Sequence, residues 1–91
     1  MITWEDYERH AKSKNKMIKE DMELMEELAH IISTIILKRS ECGYSQRELA
    51  EMCGLPHSSV ARIEAARVTP NIETLIKIIK PLGLKLTITA I

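Results

Sequence analysis

Two short helical segments joined by a tight turn constrain the fold of this chain more than any other feature. Ser45, with Glu48 three residues later, forms a capping box and predicts a helix over residues 46–53. The sequence Gly54-Leu55-Pro56 then predicts a turn into a second helix over residues 57–65, because proline suits the first position of a helix. Two short helices with a glycine-containing turn between them indicate a helix-turn-helix element.

The sequence on both sides of this element has the hydrophobic periodicity of helices, and this periodicity changes only in residues 84–91. Apolar residues spaced by three and four predict a long helix up to Gly43 and another over residues 71–82. A helix is also predicted near residues 4–12, and the polar residues 13–16 either break it or merely expose it. Residues 84–91 alternate with period two and contain β-branched side chains, which predicts one β-strand.

These patterns predict a mainly α fold in a single domain over residues 1–91, a length that suits one core. The predicted parts are an N-terminal helical extension (1–20), a helical bundle (21–83) with the motif at 46–65, and a C-terminal strand (84–91). Within the bundle, Val60 and Ile63 should face inward, and methionines 17, 22, 25 and 52 should fill core space.

Charge is distributed unevenly although the formal net charge is zero. Residues 1–30 carry five basic and eight acidic side chains, a net charge of −3, whereas residues 31–91 carry eight basic and five acidic ones, a net charge of +3. The second part therefore permits binding to a polyanion but does not require it. A solvated surface of mixed charge is the alternative interpretation.

Several classes of protein are disfavoured by what the sequence lacks. Cys42 and Cys53 form no CxxC pair and are expected to be reduced core thiols, so neither a disulfide nor a zinc site is predicted. The longest apolar run, Ile35-Ile36-Leu37, is far too short to cross a membrane, and the acidic start is unlike a signal peptide. Without a phosphate loop, nucleophile elbow or acid pair, no enzyme activity or cofactor is expected. We therefore expect a cytoplasmic protein.

The motif region resembles a known family. The run from Gly43 to Glu64 combines Ser-Gln-x-Glu-Leu-Ala from Ser45, the glycine turn, and Val-x-x-Ile-Glu from Val60. It is similar to the Cro/lambda-repressor, or xenobiotic-response-element, helix-turn-helix family, and the resemblance covers residues 31–83. The resemblance implies a lambda-repressor-like bundle that binds double-stranded DNA, while the terminal strand resembles that of HigA- and HipB-type antitoxins.

The resemblance implies a set of DNA-binding residues on the two motif helices and the following loop: Gln46, Arg47, His57, Ser58, Ser59, Arg62, Arg67 and Asn71. Arg62 would read guanine or, alternatively, pair with a carboxylate. Gln46 and Arg47 would contact phosphates. The alternatives are that Gln46 is only an exposed helix former and that Arg47 is only a solvated charge. Asn71 is at least as well explained as an N-cap. Ala65-Ala66 replaces the Asn-Gly that is common in the family, so a differently shaped loop is expected.

Two further sets of residues have structural roles. Arg39 and Glu64 match a family pair that forms a buried ion pair and orients the recognition helix. The predicted strand has no partner in its own chain, so we expect a homodimer in which it pairs with its copy. The interface would comprise Leu84, Leu86, Thr87, Ile88 and Ile91.

Three functions fit the sequence. The first is a homodimeric repressor that binds an inverted-repeat operator, because one recognition helix contacts too few base pairs to be specific alone. The second is an antitoxin that represses its own operon and neutralises a toxin protein. The third is a protein-interaction module that has kept the fold and lost DNA binding.

Overall fold

The computed structural model describes the backbone of residues 3–91 and the side chains of residues 3–9 and 18–91. It contains four α-helices and a terminal 3₁₀ helix: α1 (Trp4–Cys42), α2 (Gln46–Cys53), α3 (His57–Glu64), α4 (Ile72–Ile79) and the 3₁₀ helix Lys80–Leu82. The chain divides into two compact units, Met1–His30 and Ile31–Ile91. The helix-turn-helix element α2–α3 lies entirely in the second unit.

Helix ends follow the local signals in the sequence. The Ser45 hydroxyl accepts a hydrogen bond from the Glu48 backbone N–H (3.0 Å), and the Glu48 carboxylate accepts one from the Ser45 N–H (3.2 Å), which completes the predicted capping box of α2. Gly54 ends α2 with φ 69°, a left-handed conformation that glycine adopts without steric cost. Asn71 caps α4 by accepting a hydrogen bond from the Thr74 N–H at 2.8 Å.

The helix α1 is continuous along its backbone, so the polar residues 13–16 do not break it. Thr3 and Asp6 form the reciprocal hydrogen bonds of a capping box at its start. The first two residues of the predicted extension, and the side chain of Met17, lie outside the described residues. Domain boundaries within residues 1–91 stay a prediction.

The core of the second unit joins α2, α3, α4, the 3₁₀ helix and the C-terminal part of α1. Its buried members are Ile35, Leu49, Ala50, Val60, Ile63, Ile78, Ile79 and Leu82. Burial of each large aliphatic side chain contributes about 1.5–3 kcal/mol, so this cluster holds the two motif helices in a fixed relation. Val60 and Ile63 face inward, as expected for the buried side of the second motif helix.

Several residues that were expected in the core are exposed. Met22, Met25 and Met52 are at least half exposed, and Cys42 is also exposed. The prediction failed because helical spacing marks an apolar face without showing what covers that face. Cys53, by contrast, packs against the core and its thiol donates a hydrogen bond to the Lys77 carbonyl at 3.1 Å.

The predicted C-terminal strand is wrong. Among residues 3–91 the structure contains no β-strand, and residues 84–91 have no regular secondary structure. A strand needs ladder hydrogen bonds to a second strand, and alternating β-branched residues alone do not supply that partner. The segment instead begins with a turn in which the Leu84 N–H donates to the Ile79 carbonyl at 3.1 Å, and Leu84 packs on the core.

None of the helices in the described part of the chain is both long and apolar enough to cross a membrane.

Candidate nucleic-acid interface

Glu64, the last residue of α3, is held from two directions. Arg39 of α1 donates through Nε to Glu64 Oε2 (2.7 Å) and through Nη2 to Oε1 (2.8 Å), a bidentate ion pair. Gln46, the first residue of α2, donates through Nε2 to the same Oε1 at 2.9 Å. The Glu64 side chain is only 5% exposed and that of Arg39 17% exposed, so the pair is largely shielded from solvent.

A further bond anchors this cluster to the turn before α2. Arg39 Nη1 donates to the Tyr44 carbonyl at 2.9 Å, so one guanidinium bridges the turn and the end of α3. Because α1, α2 and α3 all contribute a side chain, the cluster fixes the rotation of α3 about its axis. We call Arg39, Gln46 and Glu64 the Glu64 cluster.

The charges in the Glu64 cluster stabilise one another. Burial by itself raises the pKa of Glu64, but hydrogen bonds from Arg39 and Gln46, together with the charge of Arg39, outweigh burial and hold the pKa below its ordinary value. The hydrogen bond to Glu64 raises the pKa of Arg39 despite partial burial. The pair is therefore charged at neutral pH.

This lowered pKa predicts a pH dependence of stability. The stabilisation from Glu64 should be fully present above the unfolded-state pKa of about 4.3, and should be lost as the pH falls through the lower folded-state pKa. Urea unfolding of the wild type and of Glu64→Gln at several pH values measures this effect. The difference between their free energies of unfolding should shrink below pH ~4.3. A difference that stayed constant on acidification would contradict the assignment.

The outer face of α3 forms one side of a shallow cleft. The cleft is lined by Gln46, Ser58, Ala61, Arg62, Ala65 and Arg67, so the structure brings together four of the eight residues proposed for DNA binding. Arg62 and Arg67 are exposed, and neither forms an ion pair with any residue of the described part of the chain. Their positive charge is thus available to an anionic ligand.

Arg47 and His57, which adjoin the cleft residues Gln46 and Ser58 in the sequence, share a carboxylate. Arg47 Nε is 3.5 Å from Glu51 Oε1, and His57 Nε2 is 3.3 Å from the same oxygen. All three side chains are more than half exposed, so these contacts are weak and exchangeable. Glu51 therefore connects the outer faces of the two motif helices.

The remaining predicted residues occupy different surroundings. Ser59 is half-buried on α3, whereas the side chain of Asn71 is used as the N-cap of α4. The N-cap role of Asn71 uses its side-chain oxygen as acceptor and does not use its amide N–H groups. Neither residue lines the cleft.

The loop after α3 contains a non-glycine residue in a left-handed conformation. Ala66 has φ 58°, a region that costs an alanine about 1–2 kcal/mol relative to its preferred backbone angles. The Arg67 N–H donates to the Arg62 carbonyl at 2.9 Å and closes this turn. The left-handed turn therefore forms here without glycine, and Arg67, which follows it, lines the cleft.

One contact and one residue of the site, the Gln46–Glu64 hydrogen bond and Glu51, were not predicted from the sequence. The Gln46–Glu64 bond joins residues 18 positions apart, and no local pattern signals it. The spacing of Arg47 and Glu51 by four residues is a helix-pair signal that would have identified Glu51. Among the described residues, no cluster of histidine, cysteine and carboxylate side chains suits a metal ion.

Comparison with known proteins adds family relationships to this geometry. The helix-turn-helix family model matches residues 35–88, more than half of the chain. An uncharacterized HTH-type transcriptional regulator of Haemophilus influenzae is 28% identical over 85 residues, which are 93% of this chain and 82% of that protein.

A second relative matches only the motif region. The HTH-type transcriptional regulator PuuR of Escherichia coli is 47% identical over 49 residues, which are 54% of this chain but only 26% of PuuR. Among solved structures, a toxin-antitoxin module from Streptococcus pneumoniae aligns with a TM-score of 0.60 and 31% identity. That alignment covers 97% of this chain and 91% of the other.

Proposed function

The chain belongs to the Cro/C1-type helix-turn-helix family, and we propose that it is a transcriptional regulator that binds double-stranded DNA through α3. In this proposal α3 enters the major groove and presents His57, Ser58 and Arg62 to base edges. Arg47, Ser59, Arg67 and Asn71, together with the second amide N–H of Gln46, contact the phosphate backbone. The protein has no catalytic role, and its proposed place of action is the cytoplasm.

One observation carries this proposal. The guanidinium groups of Arg62 and Arg67 have no ion-pair partner among the described residues, and both residues line a cleft beside α3, the helix whose rotation the Glu64 cluster fixes. Arginine suits both guanine and phosphate because its planar fork donates two parallel hydrogen bonds. A fixed helix that displays unpaired arginines is what sequence-specific recognition of DNA requires.

We also propose that the regulator represses its target as a homodimer. A single α3 reads about four or five base pairs, too few for specific recognition, and a second copy on an inverted repeat doubles the site. The proposed interface is the segment Leu84, Leu86, Thr87, Ile88 and Ile91. Ile88 is 96% exposed, and Leu86 and Ile91 are also exposed, whereas Leu84 anchors the segment on its own core.

Salt dependence of DNA binding tests the main proposal. Affinity for random duplex DNA should fall steeply as the salt concentration rises, because bound phosphates release counterions. Arg47→Ala should weaken binding to all sequences and lower the magnitude of the salt slope by about one. Lys77→Ala is the matched control, since Lys77 is an exposed cation of α4 that pairs with Glu73. No binding at low salt would instead favour a module that has lost DNA binding.

A second candidate function rests on the structural neighbour. The toxin-antitoxin module matches 97% of this chain, including the N-terminal part that lies outside the helix-turn-helix match. We therefore propose, as the alternative, an antitoxin that represses its own operon and neutralises a toxin. Co-expression with the protein encoded by the neighbouring gene tests this candidate, because a toxin partner should co-purify and lose its toxicity.

A further inference from the structure

The N-terminal unit exposes an apolar stripe on α1. Ile18, Met22 and Met25 are 50%, 60% and 66% exposed and recur at steps of four and three residues, so they lie on one side of the helix. Together with Asp21 and Glu26 they line a shallow surface groove. Three large apolar side chains in one exposed row are the arrangement of a helix that docks into a partner's groove.

Two aromatic residues are also exposed at the start of α1. Trp4 and Tyr7 are stacked, with ring centroids 5.7 Å apart, and both are exposed. At about 100° per residue they fall on the same side of the helix as Ile18, Met22 and Met25. Tryptophan and tyrosine are enriched among the residues that dominate binding energy at interfaces, and methionine adapts to irregular pockets.

Charge around the stripe identifies the kind of partner. Residues 18–29 contain one basic residue, Lys19, and five acidic residues, which gives this segment a net charge of −4; the acidic ones are Glu20, Asp21, Glu23, Glu26 and Glu27. A second copy of the same segment would bring like charges together, and DNA would be repelled outright. A partner with a basic rim around an apolar groove satisfies both features of this surface.

We propose that the stripe formed by Ile18, Met22 and Met25 is the docking surface for a basic protein, namely the toxin of the antitoxin alternative, on which this inference rests. The helix lies with its apolar side in a groove of the partner, and Asp21 and Glu26 pair with basic side chains at the rim. DNA binding by α3 and protein binding by α1 then use different residues of the same chain.

Binding to the purified product of the neighbouring gene tests this assignment by titration calorimetry. Met22→Gln/Met25→Gln should weaken binding at least tenfold, because it removes apolar contacts while keeping a similar helix propensity. Asp21→Asn/Glu26→Gln should weaken binding severalfold and reduce its salt dependence. Leu24→Gln is the matched control: Leu24 is also exposed on α1 but lies roughly 130° around the helix from the stripe.

The possible outcomes distinguish failure of the docking surface from failure of the antitoxin function. If the wild type binds the neighbouring gene product and the double methionine variant binds it equally well, the docking surface is wrong and the antitoxin function stands. If the wild type does not bind that product at all, both are wrong. If the methionine variant changes the oligomeric state of the protein alone in sedimentation, the stripe is an interface between copies, which also overturns the assignment. Unchanged helix content and DNA affinity show that each variant is folded.

Discussion

Arg39→Ala is expected to lower the free energy of unfolding by about 3 kcal/mol and to weaken DNA binding at the same time. The substitution leaves the carboxylate of Glu64 buried at the end of α3 with only Gln46 as a side-chain donor. It also frees the Tyr44 carbonyl from its guanidinium partner. Urea unfolding followed by circular dichroism measures the stability, and titration of operator DNA measures the binding.

Two variants control for this prediction. Lys77→Ala removes an exposed ion pair and should change stability by less than about 0.5 kcal/mol. Arg39→Met/Glu64→Met replaces both charges with apolar side chains and should recover much of the stability lost in the single variant. A loss in Arg39→Ala no greater than that in Lys77→Ala would show that Glu64 is not effectively buried in solution.

Arg62→Ala is expected to reduce affinity for the operator by about 1–3 kcal/mol, or roughly 5- to 150-fold, with a much smaller effect on random DNA. Arg62 is exposed on α3 and has no ion-pair partner in the described part of the chain, so its removal costs little in folding. What is lost is a bidentate contact to a base edge. Fluorescence anisotropy with operator and scrambled duplexes at one salt concentration measures the ratio of the two affinities.

Conservative substitution sharpens this test. Arg62→Lys keeps the charge but loses the planar fork, so it should retain binding to random DNA and lose much of the preference for the operator. Arg47→Ala should show the opposite behaviour, with equal losses on both duplexes. Equal losses of affinity for Arg62→Ala on the two duplexes would contradict the placement of α3 in the major groove and would indicate that Arg62 contacts a phosphate.

Local signals predicted most of the motif region, because helix ends depend on residues within four positions of one another. The Ser45 and Asn71 caps gave the starts of α2 and α4 at the observed residues. The inward positions of Val60 and Ile63 followed from spacing in the same way. These features need no knowledge of the rest of the fold.

Local patterns predicted features that depend on distant residues poorly or not at all, and the Arg39–Glu64 pair was expected only from the family resemblance. The bond between Gln46 and Glu64 requires the packing of α2 against α3, which no local pattern encodes. Residues 84–91 have strand-like composition, yet a strand is a property of two segments, and the described chain offers no second one. Met22 and Met25 show the same limit, since periodicity identifies an apolar face but not whether the chain covers it.

The contrast between the two cysteines gives this chain a ready means of selective labelling. Burial raises the pKa of the Cys53 thiol, which is also engaged with the Lys77 carbonyl, so it forms little of the reactive thiolate at neutral pH. Cys42 is exposed at the end of α1 and lies outside α2 and α3. A maleimide dye should therefore attach at Cys42 without mutagenesis and place an optical reporter close to the turn that precedes the recognition element.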